Sequence, residues 1–321
     1  MWIENILSQN KPILALSPMA DMTDSPFCQI VRSIGGADIV FREMVSSEAL
    51  IRDSEKTLGM TDFVEAERPI VQQIFGADPV VMARAAAIVM KHANPEGIDI
   101  NMGCPVYKIT SNFNGSALMK DPDLAANIVR SMKKEIGETP LSVKIRLGWD
   151  DPDTFKTFIP VIEEAGADLI TLHGRTKAQG YSGQSDWDRI RQAKEIATVP
   201  LLANGDIHLP EQVDEALEIT KADGVLIARG ALGNPWFFKQ TLEPSFVISP
   251  EERVRVILEH ARLHVDNYGE KGIMSFRKHL SWYFKTNKIG FEIQGIKEFR
   301  SRLVRVRSIE ELEEILNEII E

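Results

Sequence analysis

The chain has 321 residues and a formal net charge of −10, with 44% hydrophobic and 26% charged residues. That balance describes a globular chain, and its length exceeds one ordinary core, so a large domain followed by a smaller one is expected. No apolar run approaches the length of a membrane span, and the opening Met-Trp-Ile-Glu-Asn-Ile lacks the basic region and apolar run of a secretion signal, so a cytoplasmic protein with no membrane partner is expected. The two cysteines, Cys28 and Cys104, form no Cys-x-x-Cys and no zinc-like spacing, which argues against a disulfide framework and a structural metal.

Up to about Phe238 short apolar runs alternate with longer amphipathic ones. The short runs predict eight strands: Ile13 to Ser17, Ile39 to Met44, Ile70 to Phe75, Ile98 to Asn101, Leu141 to Leu147, Leu169 to His173, Pro200 to Asn204 and Val225 to Arg229. Between them the spacing predicts helices, among them Pro79 to His92, Asp121 to Ile136, Asp153 to Ala165, Asp186 to Ala197 and Pro210 to Ile219. Several open on an Asp cap beside proline, as in Asp121-Pro122-Asp123, where the carboxylate can accept from the free N–H groups of the first turn. Eight such pairs have the rhythm of a closed (β/α)8 TIM barrel, with a doubly wound open sheet as the competing architecture.

Polar residues at the strand ends favour the barrel. A parallel strand buried on both faces should be almost wholly apolar, so a polar residue at its C-terminal end needs a reason. Nearly every strand has one: Ser17 before Pro18-Met19, Glu43, Gln73, Asn101 with Cys104, Lys144 with Arg146, His173 with Arg175, Asn204 with Asp206, and Arg229. In a barrel these ends converge on one face, where active sites are built. Lys144 and Arg146, two apart, point to the same side of their strand.

The stretch Ile98-Asp-Ile-Asn-Met-Gly-Cys104-Pro105 is the most informative. Gly103 and Pro105 end the strand and present the Cys104 thiol at a rim, although a free cysteine more often packs as a small hydrophobe. Ala203-Asn-Gly-Asp206 and Ala228-Arg-Gly-Ala-Leu-Gly-Asn234 are glycine turns after the last two strands, the usual phosphate site of this fold, and a short helix from Asn234-Pro235 is expected to add its positive end there. No Gly-x-Gly-x-x-Gly follows a strand and there is no Gly-Lys-Ser/Thr loop, so neither a tightly held dinucleotide nor a nucleoside triphosphate is favoured.

After Phe238 the alternation stops and helices are predicted over Pro250 to Asn267, Ile273 to Thr286, Gln294 to Val304 and Ile309 to Ile320, giving domains of residues 1–240 and 241–321. From Lys271 to Arg307 there are ten basic residues against two acidic ones, a net of +8 inside a chain of net −10. Such asymmetry points to nucleic-acid contact by one region, a solvated helical face being the alternative. Arg277, Lys278, Lys285, Arg300, Arg302 and Arg305 are the candidates for phosphate contacts. The interleaved Phe276, Trp282, Tyr283 and Phe284 fit a helical core better than stacking platforms.

The run from Ile98 through Cys104 to Ser116 resembles the signature of the tRNA-dihydrouridine synthase family, and Ser17-Pro-Met-Ala-Asp-Met-Thr-Asp24, Arg42-Glu-Met44, Gln73-Ile-Phe-Gly76, Lys144-Ile-Arg-Leu-Gly148, His173-Gly-Arg-Thr176, Asn204-Gly-Asp206 and Arg229-Gly-Ala231 are similar to its other strand-end motifs. The family more often has glycine where Ala228 stands. The resemblance implies an FMN-containing barrel followed by a helical tRNA-binding domain, with NADPH as reductant of a uridine in tRNA. Carried over by residue, Cys104 would be the general acid, with Val106 to Leu118 as a mobile lid, flexible at Asn112, Asn114 and Gly115. Ser17, Pro18, Met19, Gln73, Lys144 and His173 would hold the flavin. Asn204, Gly205, Asp206, Ala228 and Arg229 would cradle its phosphate. Asn101, Arg146 and Arg175 would meet the uridine, and Lys278 and Arg302 the tRNA backbone. A monomer is expected. The competing functions are an FMN barrel reducing a free pyrimidine, as in dihydroorotate dehydrogenases, and a non-catalytic RNA-binding barrel.

Overall fold

The fold is that of a computed structural model, which describes residues 2–52, 54–285, 288 and 293–320. Eight parallel strands close on themselves in sequence order: β1 (Ile13–Leu16), β2 (Ile39–Ser46), β3 (Ile70–Phe75), β4 (Gly97–Met102), β5 (Leu141–Arg146), β6 (Leu169–His173), β7 (Leu201–Asn204) and β8 (Gly224–Ile227). β8 pairs back onto β1 with Ile13 opposite Gly224, so the sheet has no edge and the open-sheet alternative is excluded. Every predicted strand is present, with half of the sixteen ends shifted by a residue or two. The apparent extra residue Met44 in β2 reflects a register shift between Arg42 and Val45.

Alternation decides which side chains fill the barrel and which face the outer helices. Val143 and Ile145 of β5 join the large apolar layer under the helices, while Lys144 and Arg146 turn inward toward the mouth. The helices start where caps predict: Asp78 accepts from the backbone of Val80 and Val81, Asp121 from Leu124, and Asp186 from Arg189. A helix not anticipated from the pattern, Trp2–Leu7, sits across the N-terminal end of the barrel. Its Trp2, Ile3 and Ile6 pack with Ile13, Phe41, Val71, Leu169, Leu202 and Leu226. At six residues it is too short to show a helical period.

The chain after β8 passes through the helix Phe237–Leu242, which contains residue 240, and then builds four helices, Pro250–Tyr268, Gly272–Tyr283, Ile296–Leu303 and Ile309–Asn317. The predicted end of the second at Thr286 lies outside the described residues. These four share an apolar core of their own, in which Val256, Ile257, Phe276, Leu280, Phe299 and Leu316 pack beside Ile30 and Trp236 of the barrel portion. Phe276, Tyr283 and Phe284 are wholly buried there, as helical spacing suggests.

Barrel closure tests the fold. A Cβ at Gly224 would lie 2.3 Å from the Ile13 carbonyl oxygen. Gly224→Ala is therefore expected to lower stability by about 1–3 kcal/mol, read as a shift of the urea midpoint; an unchanged midpoint would contradict the tight β1–β8 seam.

Candidate active site

At the C-terminal ends of the strands lies a cavity of about 320 Å³. Seven of the eight strand ends bring a predicted polar residue to it: Ser17, Gln73, Asn101 with Cys104, Lys144 with Arg146, His173, Asn204 with Gly205 and Asp206, and Arg229 beside Ala228. Pro18 and Met19 line it too. The second strand contributes Met44 instead of Glu43, whose carboxylate accepts from the Asp21 backbone 2.7 Å away.

The floor is a chain of hydrogen bonds. The buried Asp99 carboxylate accepts from Ser142 Oγ at 2.5 Å and Gln73 Nε2 at 2.6 Å. Gln73 Oε1 in turn accepts from Asn101 Nδ2 at 2.8 Å, and Asn101 Oδ1 accepts from the backbone N–H groups of Gly103 (3.1 Å) and Cys104 (2.9 Å). Arg146 Nε donates to the Gly103 carbonyl at 2.8 Å, and Ser116 binds the Cys104 carbonyl through both its backbone N–H and its hydroxyl. The residue carrying the thiol is thus clamped from both sides. Gly115 is needed for this, because it has φ +60° and a Cβ there would stand 2.9 Å from the Cys104 carbonyl oxygen. Residues Gly115 to Met119 and Thr110 are buried, so the exposed parts of the expected lid are Val106 to Lys108 and Ser111 to Phe113.

The electrostatics follow from burial and crowding. Burial, reinforced by the Arg146 charge and opposed by Asp99 and Cys104, pulls the Lys144 ammonium down to about 8. Its Nζ donates to Asn204 Oδ1 at 3.1 Å. Burial also pushes Asp99 up to about 6, against its hydrogen bonds and the Lys144 charge. His173 is held neutral by burial and by the charges of Lys144, Arg146, Arg175 and Arg229. The Cys104 thiol is raised by burial, against the backbone N–H of Val106 and the charges of Arg146 and Lys144, and so stays protonated at neutral pH. A cavity that combines a protonated thiol with a surplus of cations is built for an anionic ligand and for giving up a proton.

Residues 14–321 match the family model of dihydrouridine synthases. The chain belongs to the dihydrouridine synthase family. It is accordingly a flavin-dependent oxidoreductase. It is 38% identical over 279 residues to a probable tRNA-dihydrouridine synthase of Rickettsia bellii, covering 84% of this chain and 85% of the relative. It is 39% identical over 286 residues to tRNA-dihydrouridine synthase B of Pasteurella multocida, covering 86% and 85%. Among solved structures it resembles the old yellow enzyme of Trypanosoma cruzi (TM-score 0.54, 10% identity, 75% of this chain and 91% of that one) and morphinone reductase (TM-score 0.54, 11% identity, 75% and 88%), a likeness of fold.

In this member of the family several expected residues are placed elsewhere. Arg175 does not line the cavity. It is buried, with its two terminal nitrogens on the Asp206 carboxylate at 2.9 and 2.6 Å and further bonds to the Ser182 and Gly183 carbonyls. A guanidinium so engaged props up the β7 turn. The Asp206 side chain, which lines the cavity, is correspondingly turned to Arg175 and Ser185 N, with His208 and Arg229 each 3.7 Å away. Gly230 and Asn234 do not line the cavity either: Gly230 is held by packing against Ile207 and Phe237, and Asn234 faces a separate cleft, bonded to Gln240. Arg302 forms a fork on Glu318, at 2.7 Å for one arm, Arg277 caps the Arg305 and Val306 carbonyls, and Lys278 is half-buried. Residues that the pattern missed include Tyr181, whose ring lies 5.0 Å from the Arg229 guanidinium and 5.7 Å from that of Arg146, and His208, both of which line the mouth. Neither sits on a strand end, so position gave no signal.

The thiol's state can be read by alkylation. Wild-type Cys104 should react with iodoacetamide along a pH profile whose midpoint lies above the ordinary cysteine value of about 8.5. Lys144→Met, which removes a stabilising charge from the thiolate, should move that midpoint higher still; a midpoint at or below the ordinary value would contradict the protonated thiol.

Proposed function

We propose that this chain reduces the C5–C6 double bond of a uridine in tRNA, with FMN held in the barrel mouth and NADPH as the reductant. The observation that carries the reading is the placement of Cys104 and Lys144 in one cavity of a dihydrouridine synthase family barrel, the thiol protonated and the ammonium buried. The fit to FMN rests on this cavity's own chemistry. A flat ring needs apolar walls, which Pro18, Met19 and Leu226 offer, and its anionic tail needs donors, which the Gly205 and Ala228 backbone and Arg229 offer. Lys144, beside Asn204, gives the buried positive charge that favours an anionic reduced ring. When bound, the reduced flavin supplies a hydride to one carbon of the pyrimidine.

The residues of the chain do the rest. Cys104 delivers its proton to the other carbon, leaving a thiolate that Arg146 and Lys144 stabilise before reprotonation from solvent. Gln73 and His173 would hold the flavin, and His173, kept neutral, is able to accept a hydrogen bond from Arg175 Nη1. Asn101 acts through Cys104 by fixing its backbone, while Arg146 and Tyr181 stand where the base enters. A uridine within folded RNA reaches this depth only when turned out of its stack. The grip on the RNA is assigned to the helical portion that follows the barrel. Lys285, exposed, together with Lys288 acts electrostatically on His208 at the cavity rim, so the basic surface continues from Arg229 across that rim onto the helices. Lys285, with Lys278 alongside on the same helical unit, replaces Arg302 as the preferred contact. Among the described residues no helix is long and apolar enough to cross a membrane. A monomer acting in the cytoplasm is the setting we propose.

The decisive assay incubates purified protein with FMN, NADPH and unmodified tRNA and measures dihydrouridine, with free uridine as the comparison; turnover on free uridine alone would turn the reading to a small-molecule reductase. Cys104→Ala should keep its yellow flavin and its tRNA affinity while dihydrouridine formation drops about 10²–10⁴-fold; undiminished turnover would remove Cys104 as the acid. Turnover should also decline on the alkaline side as the raised thiol pKa is passed, because a thiolate has no proton to give. Lys285→Glu should weaken tRNA binding and flatten its salt dependence by about one unit of slope, with flavin content unchanged; an unaltered slope would place the RNA surface elsewhere.

A further inference from the structure

Away from the cavity, four buried side chains converge where the helical portion docks on the barrel. They are Asp24, the cap of the helix Ser25–Ile34 after β1, His260 and His264 from the helix Pro250–Tyr268, and His279 from the helix Gly272–Tyr283. Each is at most 2% exposed. One ligand atom from each lies within 4.8 Å of all the others. His260 and His264, four apart, share one helix face, as paired helical metal ligands do.

The hydrogen bonding of these rings is incomplete in a directed way. His260 uses Nδ1 with the Tyr283 hydroxyl at 3.1 Å, and His264 uses Nε2 with Ser275 Oγ at 2.8 Å. Ser275 Oγ donates its own hydrogen to the Gly272 carbonyl, so it accepts from His264 and fixes the ring as Nε2–H. Among the described residues His260 Nε2, His264 Nδ1 and His279 Nε2 have no hydrogen-bond partner. His264 Nδ1 stands 3.4 Å from Asp24 Oδ2, so in the neutral ring two acceptors face each other across a gap that calls for a cation. In His260 and His264 the outer ring nitrogen is held by a hydroxyl and the inner one left open, the arrangement of histidines around a metal.

We propose that Asp24, His260, His264 and His279 bind a zinc-class dication that pins the helical portion to the barrel. Three imidazoles and one carboxylate make a closed tetrahedral shell for such an ion, with no position left for substrate, which makes the role structural. Donors around zinc at about 2.0–2.1 Å stand about 3.4 Å apart, so ring rotations of about an ångström complete the shell. No zinc-like spacing is visible in the chain, because its two cysteines take no part and Asp24 lies at the opposite end of the sequence from the histidines.

The test uses full-length protein purified without a metal-affinity tag, and it is independent of the proposed reaction. Elemental analysis should find about one zinc per chain. Protein stripped with dipicolinate should melt several degrees lower, recover on Zn²⁺ and not on Mg²⁺, and show the intense visible bands of tetrahedral cobalt when given Co²⁺. His279→Asn and Asp24→Asn should lose the metal while the Cys104 alkylation profile is retained. If the variants fail to fold, the cobalt spectrum of the stripped wild type still decides. Metal-free native protein whose stripped form takes up neither Zn²⁺ nor Co²⁺ would overturn the proposal.

Discussion

The position of the reactive thiol depends on a carboxylate that never reaches it. Asp99 is wholly buried at the base of the cavity, and its bonds to Ser142 and Gln73 fix the amide of Gln73, which fixes Asn101, which holds the backbone of Gly103 and Cys104. Each amide in this relay can be oriented only one way, because a carboxylate accepts and never donates. Three neighbouring strands already paired through their backbones are tied a second time by side chains, so the loop that carries Cys104 inherits the rigidity of the sheet.

The second constraint is charge. Lys144, Arg146 and Arg229 crowd one mouth with Arg175 behind them, and the one carboxylate ion-paired there, Asp206, is taken up chiefly by Arg175, with Arg229 3.7 Å away. The fold tolerates the rest because the barrel is closed and its core lies in the apolar layer beneath the helices. Surplus positive charge at the strand ends therefore costs local stability, which an anionic ligand offsets when it binds. Acids elsewhere on the barrel portion balance this surplus, since residues 1–240 carry 33 acidic and 24 basic side chains, which explains how a protein of net −10 can present a basic face.

Much of this was legible in the sequence for a physical reason. Inward positions on buried parallel strands are apolar by default, so Gln73, Asn101, Lys144 and His173 stood out against a uniform background, and each was found in the cavity. The turns were less legible. Arg175 and Asp206 look like ligands by position but satisfy one another, and Gly230 looks like an anion turn but is shaped by packing against Phe237. Such choices depend on partners brought together by folding, as with Arg302 and Glu318. The buried histidines were the least visible, since each alone reads as a core residue and only the docking of two helices on Asp24 unites them.

The short helix Trp2–Leu7 closes the barrel from below, with Trp2 against Phe41 at 6.5 Å between ring centres. The N-terminal end of the barrel is consequently stoppered by side chains, and the cavity at the opposite end stands over a filled core.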